Sequence, residues 1–267
     1  LVHCCGFDSV PSDLSVYFLQ KHFHERYGHY ASRVSGRMGR AAGGVSGGTV
    51  ASLMFVAEQA SKDTSIRDTV MDPYALYPPG MEKGSDQPDQ AGIAWDDDFG
   101  SWTGPFVMAA INTKVVRRSH ALAGLPYGAD FGYNESQLCS SRAKAILSAG
   151  GLGSVMAGTF FSPTRALLKK LLPDPGDGPN KETRDKGFFE FWAHGTDGEN
   201  TLRVKVTGQR DPGYGATSRM LAQAGLCLTQ DELAVGGGIW TPASALGDAL
   251  LARLPDVDIH FAVVDEQ

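Results

Sequence analysis

The sequence predicts an α/β fold that becomes α+β in its central part. Three observations support this fold class. A strand-like run at residues 1–5 leads through a glycine turn into a helix, two alternating segments form a hairpin at residues 187–208, and the chain closes with a helix and a strand after residue 240. A strand–turn–helix unit followed by an antiparallel meander is typical of folds in which helices pack on a sheet.

The first helix is predicted over residues 9–27. Ser9 can cap this helix, Pro11 suits its first turn, and Asp13 lies near the positive end of the helix dipole. Apolar side chains follow at helical spacing. A strand over residues 30–40 is expected next, because apolar and polar residues alternate weakly there.

Long loops and extended segments are predicted in the middle of the chain. Residues 78–104 are rich in Pro, Gly and Asp and predict a long irregular loop, of a kind that often forms a lid or a binding loop. Residues 105–118 and 127–138 are expected to be strands or extended segments.

The C-terminal third carries the clearest secondary-structure signals. Residues 187–194 and 200–208 alternate regularly and predict a hairpin. A helix over residues 241–254 is predicted from a Thr-Pro start, and residues 258–266 predict a final strand.

The composition excludes several classes of function. The 24 basic and 30 acidic residues give a net charge of -6, and the basic residues are scattered, so nucleic acid is not an expected partner. The four cysteines show no CxxC spacing and none of the seven histidines lies in an HExxH pattern, so we predict no metal site. Reduced thiols favour a cytoplasmic location. Because a strand-like run without Met stands at residue 1, we expect the natural protein to begin upstream.

The turn between the first predicted strand and helix is the first candidate site. It contains five residues that we predict to contact a cofactor, namely Cys5, Gly6, Phe7, Asp8 and Ser9. Ligands of open α/β sheets bind where strands end, and the free N–H groups of a helix N-terminus can receive an anion or a polarised carbonyl. The alternative is a capped helix without a ligand.

A second glycine-rich turn is the candidate substrate loop. Its predicted contacts are Ser46, Gly47, Gly48 and Thr49, and a helix is expected to open at Thr49 or Ser52. Backbone amides of such turns can hold polar groups. No Gly-Lys-Ser/Thr follows, which excludes a P-loop, and a close-packing turn is the alternative.

The glycine pattern at residues 213–218 imitates a dinucleotide fingerprint. The preceding strand alternates, as a half-exposed hairpin strand does, and Arg210, Asp211 and Pro212 intervene before the first glycine. We therefore interpret it as a turn from hairpin to helix. Tyr17, Tyr127 and Tyr133 are candidate proton donors, although tyrosines of this kind are mostly core residues.

Residues 145–164 carry no charge. Their glycine and serine content makes a bilayer span a poor interpretation, and a buried or interfacial segment beside Lys169 and Lys170 is favoured. Peripheral membrane contact through residues 145–170 is the corresponding hypothesis.

Several motifs together resemble one family. Residues 4–19 read CCGFDSVPSDLSVYFL, which is similar to the segment that closes the nucleotide domain of saccharopine-dehydrogenase-like oxidoreductases, and especially of trans-acting enoyl reductases. Further matching patches lie at residues 45–51, 72–74, 102–107, 112–119, 221–226 and 241–251. These patches occur in the same order as in the family and extend over nearly the whole chain.

This resemblance implies a division into three parts. Residues 1–29 would be the C-terminal part of a Rossmann-type domain, residues 30–235 a mixed-sheet substrate and dimerisation domain, and residues 236–267 a helix and strand returning to the first domain. The resemblance also implies an oxidoreductase that uses NADP or NAD to reduce an enoyl group on a lipid or polyketide-like acyl substrate. A homodimer is compatible with it.

The chain departs from the family because it carries no N-terminal G-x-G-x-x-G. We therefore expect the isolated chain to bind nucleotide weakly or not at all, and the family's catalytic residues cannot be assigned to positions in it. Two alternatives stay open. One is a non-catalytic adaptor that contacts lipid or membrane, and the other is an amino-acid dehydrogenase of the lysine-pathway type.

Overall fold

A mixed β-sheet forms the centre of the fold. A computed structural model describes residues 1–44, 46–84, 89–160 and 176–264. Within these ranges the sheet has seven strands in the order β2-β3-β4-β1-β5-β6-β7. The strands are β1 (Arg33–Ala42), β2 (Ala94–Asp96), β3 (Ser101–Gly104), β4 (Gly132–Cys139), β5 (Phe188–Thr196), β6 (Thr201–Gln209) and β7 (Ile259–Val264). Only the central β1–β4 pair is parallel, and the other neighbouring strands in this order are antiparallel.

Helices of very different lengths surround the sheet. They are α1 (Val10–Tyr27), α2 (Gly47–Lys62), α3 (Thr64–Met71), α4 (Ala109–Leu122), α5 (Arg142–Phe160), α6 (Lys181–Lys186), α7 (Thr217–Gln230), α8 (Pro242–Ala245) and α9 (Gly247–Arg253). A π-helical turn at Pro212–Ala216 precedes α7, and a 3₁₀ turn at Leu254–Val257 precedes β7.

Helix α1 lies at the centre of the core. It packs against β5, β6, α4 and α8, and every residue from Val10 to Val16 is buried. The alternating inward side chains of β6, which include Val204 and Val206, meet this helix across the sheet. At Gly195 a Cβ atom would lie 2.4 Å from Cδ2 of Leu19, so helix and strand approach as closely as a glycine permits. The predicted helix and its Pro11 start are therefore confirmed.

Most predicted elements after α1 are also present. The strand at 30–40 corresponds to β1, the segment at 127–138 to β4, the hairpin to β5 and β6, and the final strand to β7. The predicted C-terminal helix is interrupted at Leu246 and forms the two short helices α8 and α9. Thr241 caps α8 through a reciprocal hydrogen-bond pair with Ser244.

Two predicted strands are wrong. Residues 1–5 form only a single bridge, between Val2 and Trp240, because no neighbouring strand extends beside them. The segment 105–118 contains most of helix α4. Its β-branched residues suggest a strand, but the buried positions Ala109, Asn112 and Val116 repeat at helical spacing and face α1 and the sheet.

Two predicted loops also differ in detail. The 78–104 loop contains the β2–β3 hairpin at its end, although residues 85–88 lie outside the described ranges. Helix α2 opens at Gly47 rather than at Thr49 or Ser52, because the Ser46 hydroxyl accepts a hydrogen bond from the Thr49 amide and caps it. The three-part domain division stays a prediction, although β7, from the third part, pairs with β6 in the same sheet.

A glycine in β1 makes room for a buried polar pair. A Cβ atom at Gly36 would lie 2.5 Å from the Tyr133 hydroxyl and 2.9 Å from Cγ of Glu135. We expect Gly36→Ala to lower the free energy of unfolding by about 1–3 kcal/mol, the usual cost of overpacking. Urea unfolding measures the change. Gly150→Ala in exposed helix α5, where an added Cβ meets nothing within 4 Å, is the control and should stabilise by up to about 1 kcal/mol. Equal effects at both positions would contradict this account.

Candidate functional site

The two predicted site segments lie against the same turn, formed by residues 211–217. On one side, the Phe7 amide donates a hydrogen bond to the Thr217 hydroxyl over 3.1 Å. On the other side, the Ser46 hydroxyl donates to the Tyr214 hydroxyl over 3.3 Å. The fold thus brings the candidate cofactor turn and the candidate substrate loop into contact with one short segment, although both are far from it in the sequence.

The buried side chain of Asp211 stabilises the 211–217 turn by hydrogen bonds to its backbone. Its side chain is fully buried, and its carboxylate accepts hydrogen bonds from the Tyr214 amide at 3.1 Å and the Gly215 amide at 2.8 Å. A phosphate cradle needs such amides to be free. Because a carboxylate of the chain itself occupies them, the glycine pattern at 213–218 acts as a turn that leads into α7, in agreement with its interpretation from the sequence.

The candidate cofactor turn, Cys5–Ser9, is closely packed. A Cβ atom at Gly6 would lie 3.0 Å from Cγ2 of Thr217, and the Phe7 ring lies 4.8 Å from that of Phe189 in an edge-on arrangement. The amides of Ser9 and Val10 both donate to the Gly6 carbonyl. The amides of Phe7 and Ser9 are therefore already hydrogen-bonded within the protein and are not free to contact a pyrophosphate.

The thiol of Cys5, the first residue of this turn, is poorly suited to nucleophilic chemistry. Cys5 is buried, and burial raises the pKa of its thiol to about 11, with the neighbouring Cys4 adding to the rise. Thiolate is therefore scarce at neutral pH. Within the described ranges, no three His, Cys, Asp or Glu side chains are grouped so that they could hold a metal ion.

A buried polar network fixes the start of α1 to α4 and β4. The Ser9 hydroxyl donates to Oδ1 of Asn112 at 3.0 Å, and the Asn112 amide donates to Ser12 at 3.1 Å and to Glu135 at 3.0 Å. The Tyr133 hydroxyl donates to the other Glu135 oxygen at 2.6 Å. Burial raises the pKa of Glu135 to about 7 and holds that of Tyr133 well above its usual value.

Sequence reasoning missed Asn112 and Glu135. The interpretation of 105–118 as a strand hid the helical face that carries Asn112. Tyr133 was predicted to be either a proton donor or a core residue, and the structure buries its hydroxyl on the Glu135 carboxylate. The sequence signal that could have revealed the network is the pair of serines, Ser9 and Ser12, at the buried start of a helix, because buried hydroxyls require partners.

A second buried carboxyl, Asp13, ties three segments together. It accepts hydrogen bonds from the Ser119 hydroxyl of α4 and from the Ala243 amide of α8, the latter at 2.8 Å. Ser119 also contacts the Thr241 hydroxyl at 2.6 Å. Burial raises the pKa of Asp13 to about 7, and its hydrogen bonds oppose this rise.

Asp13 also borders a cavity of about 570 Å³. The walls are formed by α1, the end of α4 and the segment around α8 and α9, with aromatic side chains from Tyr17, Tyr30 and Tyr127 on one side and a charged rim at Lys21 and Asp248. This volume is in the range of small-molecule sites. The 5–9 turn is not among its lining residues.

The candidate membrane segment falls partly outside the described residues. Helix α5 covers residues 142–160 and exposes Ile146 and Leu147, with fractional exposures of 54% and 76%. Residues 161–170 are outside the described ranges. Among the helices that the structure describes, none combines the length and the apolar character that a membrane crossing requires.

Comparison with known proteins gives the chain a close set of relatives. A Mycobacterium tuberculosis H37Rv protein that is named, provisionally, a trans-acting enoyl reductase shares 39% identity over 98% of this chain. The trans-acting enoyl reductases of Mycobacterium bovis BCG and Mycobacterium ulcerans share 36% and 34% identity over 97% of it. The chain is a homologue of the mycobacterial trans-acting enoyl reductases. It spans 66% of the length of each of these relatives. No family model matches it.

The raised pKa of Asp13 predicts a pH dependence of stability. A carboxyl whose pKa is higher in the folded protein than in the unfolded chain contributes stability below the unfolded value, and this contribution is lost as the pH rises toward about 7. The loss between pH 4 and pH 7 is on the order of 4 kcal/mol for three pKa units. We expect Asp13→Asn to remove the part of the pH dependence that Asp13 contributes, because an amide resembles the protonated acid and does not titrate; the part from Glu135 remains. Urea unfolding at several pH values measures it.

The matched control for this measurement is Asp256→Asn. Asp256 is exposed in the 3₁₀ turn before β7, so its amide variant should keep the wild-type pH dependence. Parallel curves for wild type and Asp13→Asn would show that Asp13 is not the titrating group. If the stability of the wild type fell less steeply than that of Asp13→Asn between pH 4 and pH 7, the sign of the effect would be contradicted.

Proposed function

We propose that this chain is part of a reductase that adds hydrogen across the carbon–carbon double bond of an acyl group. The observation that carries this proposal is the 34–39% identity, over 97% or more of the chain, to proteins named trans-acting enoyl reductase. The candidate cofactor turn, residues 5–9, and the candidate substrate loop, residues 46–49, both contact residues 211–217. This arrangement supports the proposal, because a cofactor and its substrate must lie side by side for hydride transfer.

The hydride donor in this proposal is a nicotinamide cofactor, NADP or NAD. When bound, such a cofactor supplies the hydride, while the protein orients the substrate and excludes water. In this chain the Cys5–Ser9 turn would lie beside the nicotinamide ring. The amides of Phe7 and Ser9 are already hydrogen-bonded, which favours that role over phosphate binding. Binding of the phosphates would then depend on other residues of the full-length protein.

The substrate in this proposal is an apolar acyl chain that reaches the enzyme on another protein. The relatives are named trans-acting, and an enzyme that acts in trans receives its substrate from a separate synthase. The 46–49 loop would form one wall of the acyl site. A saccharopine-dehydrogenase-like architecture and a homodimer belong to the same proposal.

A second candidate function is favoured by the exposed side chains of α5. Leu147 is 76% exposed and Ile146 is 54% exposed at the start of a helix that has no charged residue from 145 to its end. Such a surface suits peripheral contact with lipid, as in an adaptor that keeps the fold without the chemistry. A reductase that acts on a lipid-like substrate could use the same surface. The surface therefore does not distinguish the two functions, whereas cofactor binding does.

Cofactor binding by the full-length protein tests the proposal. We expect NADPH to raise its melting temperature and to show altered fluorescence on binding, and we expect NADPH oxidation with a 2-enoyl thioester. Gly6→Val should weaken cofactor binding at least tenfold, because its side chain would press on Thr217. Gly92→Val is the control, since an added Cβ there meets nothing within 4 Å.

Different outcomes favour different functions. Neither binding nor turnover at millimolar cofactor would overturn the reductase proposal and favour the adaptor. Cofactor-dependent oxidation of an amino-acid substrate, with no turnover of enoyl thioesters, would favour the lysine-pathway type of dehydrogenase.

A further inference from the structure

We infer that Tyr214 is the proton donor of the proposed reduction and that Ser46 stabilises the phenolate formed when Tyr214 gives up its proton. The inference rests on the proposed function and deepens it by assigning a side chain to the protonation half of the reaction. Tyr214 lies in the 211–217 turn, between the 5–9 turn and the 46–49 loop.

The hydroxyl of Tyr214 has a defined hydrogen-bond arrangement. It donates to the Asp177 carbonyl at 2.9 Å and accepts from the Ser46 hydroxyl at 3.3 Å. The side chain is only partly buried. Its proton therefore points away from Ser46 and rests on a backbone carbonyl that a substrate could replace as acceptor, while Ser46 stays in place to stabilise the negative charge on the oxygen.

Glycines allow neighbouring chain segments to approach Tyr214 closely. A Cβ atom at Gly178 would lie 2.2 Å from the Tyr214 ring, one at Gly213 would lie 2.8 Å from the Gly44 carbonyl oxygen, and one at Gly44 would lie 2.8 Å from Pro179. Three glycines thus allow three chain segments to meet at this tyrosine. The contact holds the ring in a fixed position, which a proton donor requires.

The oxygen of Ser46 also belongs to the N-terminus of a helix. Ser46 is the N-cap of α2, and its oxygen also accepts a hydrogen bond from the Thr49 amide at 3.4 Å. The positive end of a 16-residue helix therefore lies beside the Tyr214 hydroxyl. A helix N-terminus stabilises nearby negative charge, so it would favour the tyrosinate that forms when the proton leaves.

Tyr214 is also connected to the candidate cofactor turn. The backbone amide of Thr217 donates to the Tyr214 carbonyl, and the Thr217 hydroxyl accepts from the Phe7 amide. A single turn of backbone therefore separates the tyrosine from the turn beside which the nicotinamide would lie.

The chemistry balances with this assignment. In the reduction of an enoyl thioester, a hydride from the reduced nicotinamide adds to the β-carbon, and the cofactor is released oxidised. The π bond breaks, and its electron pair at the α-carbon takes the proton from the Tyr214 oxygen. The phenolate then regains a proton from water, which restores the enzyme.

The other candidate tyrosines fit this role less well. The Tyr133 hydroxyl is buried on Glu135 at 2.6 Å and stabilises the core. Tyr17 and Tyr127 face the cavity beside α1, whose lining includes neither the 5–9 turn nor the 46–49 loop.

The test uses Tyr214→Phe in the full-length protein. We expect kcat for a 2-enoyl thioester to fall about 100- to 1000-fold, as for loss of a general acid, and the Kd for NADPH to change less than twofold. Reduction in D₂O by the wild type should place deuterium on one face of the α-carbon, whereas the variant should give a mixture because solvent supplies the proton. Ser46→Ala should lower kcat by about tenfold.

Tyr27→Phe is the matched control. The Tyr27 hydroxyl also donates to a backbone carbonyl, that of Thr201 at 3.1 Å, but it lies on the outer end of α1. We expect Tyr27→Phe to keep the wild-type kcat and the one-sided deuterium label. A merely structural Tyr214 would change the melting temperature without altering the face of deuterium addition.

The possible results of these experiments distinguish a wrong assignment of Tyr214 from a wrong proposed function. If the wild type reduces enoyl thioesters and Tyr214→Phe keeps kcat within threefold and the same one-sided label, Tyr214 is not the donor, while the proposed function stands. If the wild type neither binds NADPH nor turns over, the proposed function fails and the assignment of Tyr214 fails with it.

Discussion

The burial of the first turn of α1 is the constraint on which the rest of the structure depends. Ser9, Ser12 and Asp13 are all buried, and a buried polar group without a partner costs about 1–3 kcal/mol. Partners must therefore come from elsewhere in the chain. They come from Asn112 and Ser119 of α4 and from the backbone of α8, so this one helix end determines where both helices lie.

The hydrogen bonds of the buried start of α1 also fix the position of the candidate site. The turn that precedes α1 is held on one side by Asn112, through Ser9, and on the other by Thr217, through the Phe7 amide. The position of the 5–9 turn relative to the 211–217 turn is therefore fixed by hydrogen bonds rather than by loop packing alone. A site built in this way is preorganised, which is what orientation of a substrate requires.

The sequence predicts the local elements better than the long-range contacts. Helix α1, the β5–β6 hairpin and the cap at Thr241 could be predicted because their signals are local: a Pro start, strict alternation and a Thr-Pro pair. The strand predicted at 105–118 is wrong because the buried positions of this segment repeat at helical spacing, although it is rich in β-branched residues. Of the candidate site, the two glycine turns could be proposed from composition. Their meeting at residues 211–217, and the contacts of Asn112 with Ser9 and of Tyr214 with Ser46, could not, because these contacts join segments more than 100 residues apart.

Two buried carboxyls with a pKa of about 7 have a consequence for the folding reaction itself. At a pH between 5 and 7, the folded protein holds protons on Asp13 and Glu135 that the unfolded chain has already released. Folding therefore takes up protons from the buffer. The heat of folding measured by calorimetry then includes the ionisation heat of the buffer, so it differs between phosphate and an amine buffer of equal pH, and the slope of that difference counts the protons taken up.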